Sequence, residues 1–174
     1  MTEFLGPLER VDGRWVIGDP SGGNGSYLAL TAEGMEHHKP GTEGPETVVP
    51  WARFVDLGVV ATTRAWMTTR GLGVLSGEGL TMGPDGCAVE AFLRHPYEDW
   101  TAPYTHHERT YTNPHVALVD ELFRKTVEAK AAYRLGDPDW LSEAATQVAA
   151  LHIPWYGYRR AGRRVDEIIK NLLR

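Results

Sequence analysis

At 174 residues, 42% hydrophobic and 24% charged, the chain has the size and composition of one folded domain with a helical appendage, which excludes disordered and fibrous architectures. The single cysteine, Cys87, excludes a disulfide-stapled scaffold, and with no signal-peptide pattern and no apolar run of ~18 residues the expected address is cytoplasmic. Net charge is −5 but uneven: Trp155 to Arg174 holds six Lys/Arg against two Asp/Glu, leaving twelve against twenty-one before it, so the acidic body is not expected to grip nucleic acid.

From Gly13 to about Thr112 the segments are short, rich in β-branched and aromatic residues, and broken by glycine and proline, which predicts antiparallel sheet. Candidate strands are Arg14–Ile17, Tyr27–Thr31, Gly34–Lys39, Thr47–Trp51, Phe54–Thr62, Ala65–Thr69, Cys87–Arg94 and Tyr104–Tyr111. The Asp19–Gly25 and Lys39–Pro45 runs carry turn chemistry. Thr31-Ala32-Glu33-Gly34 reads as a tight turn with Gly34 at positive φ, making Tyr27–Lys39 a hairpin.

At Asn113-Pro114 the period changes. Asn113 as cap and Pro114 as first helical residue open a helix carried by Val116, Val119, Leu122, Phe123 and Val127, running to about Tyr133 and stopping near Gly136. Asp137-Pro138 repeats the device for a helix over 138–151. A third, over 156–173, places Val165, Ile168, Ile169, Leu172 and Leu173 on one apolar stripe, with Arg159, Arg160, Arg163 and Arg164 opposite.

Two segments carry a resemblance. Tyr27-Leu28-Ala29-Leu30-Thr31-Ala32-Glu33-Gly34-Met35-Glu36, then a polar loop and Val48-Val49-Pro50-Trp51-Ala52-Arg53-Phe54, resemble the bacterial pleckstrin-homology-like pattern, in which a Thr-x-x-Gly turn joins a hairpin and an apolar-apolar-Pro-Trp segment opens the next strand. The resemblance covers about residues 13–133. It implies an α+β fold, a strongly bent antiparallel sheet or barrel capped by a long helix; residues 137–174 depart from the family pattern and read as a helical extension packed on it. It also implies an interaction scaffold. Family members that bind inositol phosphates use basic side chains near the first interstrand loop, but Asp19 to Ser26 contains no Lys or Arg, so phosphoinositide binding and stable membrane association are not expected.

The chemistry-bearing residues leave two readings open. Seven histidines include His37-His38 and His106-His107, but neighbours on a strand face opposite ways and no His-x-His, His-Glu-x-x-His or Cys-x-x-Cys spacing occurs, so neither a metal nor a cofactor is expected. Cys87 alternates with Val89 and Ala91, which reads as a packed thiol. Glycines at 71, 73 and 77 and at 22, 23 and 25 lack the context of a phosphate loop. One reading is a noncatalytic module binding a protein partner or its own copy, with Arg159, Arg160, Arg163 and Arg164 as a contact face. The other is a small enzyme or ligand-binding protein with a pocket around residues 95–109, where Glu98, Asp99 or His107 serves as acid or base and Arg109 as an anion clamp.

Overall fold

The computed structural model describes residues 3–21, 25–62, 86–152 and 158–174, with the side chains of 158–160 left out. The first sheet is a meander of β1 (Phe4–Leu5), β2 (Leu8–Val11), β3 (Arg14–Ile17), β4 (Tyr27–Leu30), β5 (Gly34–His38) and β6 (Thr47–Pro50). Pro50 lacks an N–H to continue the ladder, and Trp51–Arg53 forms a 3-10 turn that redirects the chain into a second meander. Its strands are β7 (Phe54–Val60), β8 (Ala88–Leu93) and β9 (Glu98–Pro103). The helices are α1 (Asn113–Glu128), α2 (Pro138–Ala149) and α3 (Tyr158–Leu172). The architecture is α+β and antiparallel, as expected, but the strands form two open sheets, not one closed barrel, among the described residues.

Several local expectations need correction. The N-terminal hairpin β1–β2, which lies before the first strand expected from sequence, turns on Gly6-Pro7, with Leu5 opposite Leu8. Gly6 at φ 55 followed by a proline with fixed negative φ is the sign pattern of a II′-type hairpin. Gly34 does not adopt positive φ; it is needed because a Cβ there would lie 2.2 Å from the Val49 carbonyl oxygen across the β5–β6 ladder. The turn itself is closed by Thr31, whose backbone N–H and Oγ1 both donate to the Gly34 carbonyl at 3.0 Å. The last strand is Glu98–Pro103, not Tyr104–Tyr111. Beyond Pro103 the backbone leaves the second sheet for the first, with Thr105 N donating to Ser26 O at 2.8 Å and Asp19 N donating to Thr105 O at 3.0 Å. Ala65–Thr69 and the glycines at 71, 73 and 77 lie outside the described residues.

Thr112, not Asn113, caps α1, its side chain accepting from His115 N at 3.3 Å. The helix also ends earlier than expected. Lys130 sits at φ 60, its N–H donating to Val127 O at 2.8 Å while Ala131 N donates to Thr126 O at 3.0 Å, the paired bonds of a Schellman stop. A 3-10 turn at Ala132–Gly136 follows, and Asp137 caps α2 by accepting from Asp139 N and Trp140 N.

The core lies between the sheets and the helices. Trp15, Ile17, Leu28 and Met35 face it from the first sheet, Leu57, Val59 and Val89 from the second, Leu118, Leu122 and Phe123 from α1, and Leu141, Val165 and Ile169 from the other helices. α1 lies along β7, where Asp120 Oδ1 accepts from Val59 N at 3.0 Å and so satisfies a donor on a strand that, among the described residues, forms the edge of the second sheet. α3 packs on α1 and α2. Among the described residues no helix is long and apolar enough to cross a membrane.

Candidate functional site

The predicted acid–base residues do not gather in one place. β9 carries Glu98 at one end and leads to His107 beyond the other, and at ~3.3 Å per residue the strand alone separates them by roughly 17 Å. Glu98 is exposed and pairs with Arg53 Nη2 at 2.6 Å, while Asp99, also exposed, stands opposite Phe92 in the ladder.

His107 and Arg109 do converge, on a carboxylate the sequence did not suggest. Glu9 of β2 has its Oε2 2.9 Å from His107 Nε2, off the angle of a hydrogen bond, and it also takes Arg109 Nη1. Arg109 further donates to the Gly6 carbonyl at 3.3 Å, and its guanidinium lies 4.9 Å over the Phe4 ring. On the other side of His107, the Tyr111 hydroxyl donates to Nδ1 and accepts from the His107 backbone N–H at 3.0 Å. Burial first, and the nearby Arg109 charge second, pull His107 down from its ordinary value to about 4 despite Glu9, so the ring is neutral at neutral pH. Burial raises Tyr111 above the usual phenol range.

A Tyr–His–Glu row has the groups for proton transfer, but catalysis needs them to reach a substrate. Tyr111 and His107 are 2% and 5% exposed, and Arg109 is already engaged by Glu9 and the β1–β2 turn. In this arrangement the row fastens the N-terminal hairpin to the 104–112 segment.

The other histidines of the two sequence pairs are also engaged. His106 and His107 are both buried, contrary to the alternation expected of a strand, because their segment is irregular. His106 stacks on Tyr111 with ring centroids 4.0 Å apart, and its Nε2 is 2.8 Å from Thr62 O. His37 points inward and its Nε2 donates to Pro103 O at 2.9 Å, while His38 stacks on Tyr27 on the opposite face. Cys87 is fully buried, its Sγ 3.8 Å from Thr62 Oγ1. Among the described residues no three His, Cys, Asp or Glu side chains are grouped to hold a metal ion.

On α3, Ala161, Val165 and Ile169 are fully buried and Ile168 and Leu172 only half-buried, so the stripe is narrower than the sequence spacing implies. Arg163 and Arg164 are exposed; the side chains of Arg159 and Arg160 lie outside the described set.

An open concavity lies elsewhere, between the end of α1 and the start of β7. This groove of about 560 Å³ has Trp51, Phe54, Val127 and Ala132 on its floor and Val55 and Tyr133 on its walls. The floor residues are buried, whereas Val55 and Tyr133 are 45% and 57% exposed. A β-bulge between Phe54 and Asp56 makes Val55 an extra residue beside Phe92, itself 39% exposed on the neighbouring strand. Ala52, Arg94, Glu128 and Lys130 complete the lining. No residue of this groove was singled out from sequence as functional; the exposed apolar wall depends on a bulge and a helix stop that local pattern does not announce.

No protein-family model, curated protein or solved structure matches this chain.

Proposed function

We propose that the chain is a noncatalytic interaction module of pleckstrin-homology-like architecture that binds a protein partner in the groove between β7 and the end of α1. The observation that carries the reading is the concentration of solvent-facing apolar side chains, Val55 and Tyr133, around a buried aromatic floor of Trp51 and Phe54. Apolar side chains clustered at an open concavity mark recognition surfaces more often than stability devices, since exposure forfeits the hydrophobic gain. The architecture is supported by the Thr31-x-x-Gly34 turn, by the passage from Val49-Pro50-Trp51 into β7, and by the helix after the last strand lying along β7. The enzyme reading has less support, because Glu98 and Asp99 stand apart from His107 and the groups around His107 are buried and mutually paired.

The test is a peptide-display selection on the immobilised full chain, counter-selected on the Val55→Asp, Tyr133→Ser double variant. Both positions are exposed, so the variant is expected to fold. Sequences enriched on the parent and lost on the variant support the module; a selection with no groove-dependent sequences overturns it.

A further inference from the structure

We infer that the occupant of this groove is an acidic, apolar peptide segment, which seats an aliphatic or aromatic side chain over Trp51, Phe54 and Val127 and places carboxylates beside Arg94 and Lys130. The inference rests on the interaction reading above and adds the partner's chemistry.

Charge at the rim decides it. Glu128, the rim acid, is paired with Lys125 at 2.6 Å, and Glu98 nearby along Arg53 is paired at 2.6 Å. Arg94 and Lys130 are exposed and belong to no ion pair among the described residues. The rim therefore presents uncompensated positive charge on a chain whose net charge is −5. Arg94 is also oriented: its Nε donates to Ala52 O at 2.8 Å, which directs the end of the guanidinium for two-pronged carboxylate binding. Lys130 is held at the helix stop, where its left-handed backbone turns the chain out of α1.

The fold also limits how the segment binds. Among the described residues β7 is an edge strand, but Asp120 occupies the Val59 N–H and α1 lies along the edge, so sheet extension is blocked there. Recognition is through side chains at the open end of the groove. A basic segment would meet like charge, and two cations on an acidic chain make a poor footing for an anionic membrane.

Fluorescence anisotropy on the full chain tests this with three labelled peptides sharing a Leu-Phe centre, flanked by Glu, Gln or Lys. Two exposed charge contacts are expected to favour the Glu peptide over the Gln peptide about three- to tenfold at low salt, with the advantage shrinking as ionic strength rises. Arg94→Gln with Lys130→Asn, asparagine being tolerant of the left-handed backbone, should collapse the ratio of Glu-peptide to Gln-peptide affinity to about one. Val55→Asp should remove both. Equal or tighter binding of the Gln or Lys peptide overturns the acidic preference; if Val55→Asp still abolishes that binding, the interaction reading survives. If no peptide binds, the inference falls, and the display selection then decides the reading: neutral or basic groove-dependent sequences keep it, and an empty selection removes both. Sedimentation showing a dimer that Val55→Asp dissociates would also overturn the inference, by assigning the groove to a second copy.

Discussion

Because burial holds His107 neutral and lowers it to about 4, the unfolded chain takes up a proton at this position before the folded one does. The stability tied to that neutral ring is therefore fully present above about pH 6.5 and is lost as pH falls toward about 4. His37, lowered chiefly by burial, acts in the same direction. Urea unfolding at about pH 7 and about pH 4.5 should give a lower midpoint at the acid pH, and His107→Gln should shrink that difference without removing it. An unchanged pH dependence in the variant would mean His107 is not the group whose neutrality matters. Steric demand is sharper at Gly34. A methyl group placed 2.2 Å from a backbone carbonyl oxygen has no flexible neighbour to yield, so the ladder between β5 and β6 must open. Gly34→Ala should cost about 3 kcal/mol or more, read as a shift of the urea midpoint.

Among the elements, α1 shows how local chemistry and periodicity divide the information. Its start was legible, because Thr112-Asn113-Pro114 combines capping and proline signals whichever residue accepts the bond. Its end was not, because the left-handed stop uses lysine where glycine is the usual sign. Lys130→Gly should accordingly raise stability by about 1 kcal/mol in thermal or urea unfolding, by relieving the Cβ contact of the left-handed backbone. The strand at Glu98–Pro103 was hidden by its charged start, while aromatic and β-branched Tyr104–Tyr111 looked like strand but serves to cross between sheets. Half of the His107 cluster was similarly legible: His107 and Arg109 stood out by residue type, but their carboxylate is Glu9, some hundred residues away in sequence, and no local signal pairs them, while the groove went unmarked because its exposed wall depends on a bulge and a helix stop. In α3, Ile169 is completely buried while Arg163 is exposed. Ile169→Ala should cost about 2–5 kcal/mol and Arg163→Ala less than ~0.5 kcal/mol in matched melts, since a cavity outweighs a solvated charge.

At the level of the whole molecule, the C-terminal helices share their core with the sheets. Phe123 and Leu122 of α1 belong to the same buried cluster as Leu57 of β7 and Val165 of α3. α2 is tied to the first sheet by Trp15, whose Nε1 lies 3.1 Å from Ser142 Oγ and 3.2 Å from Pro138 O, and Arg10 Nη1 donates to the same hydroxyl at 3.2 Å. Loss of α2 and α3 would uncover apolar surface on α1 and strand the Trp15 indole N–H, so separating the two regions is costly on both sides. Unfolding should consequently be one cooperative transition. Tryptophan fluorescence, which samples Trp15 and Trp100 in the sheets, Trp51 in the turn between them and Trp140 in α2, and far-UV circular dichroism at a helix wavelength should trace coincident urea curves. Hydrogen exchange gives the stricter measurement: amides at the centre of α3, around Val165 and Ile169, should open with nearly the same free energy as those of β8, because their side chains share one core. If α3 instead opened at a much lower free energy while β8 stayed protected, the helices would form a separate cooperative unit and the shared core would not couple them.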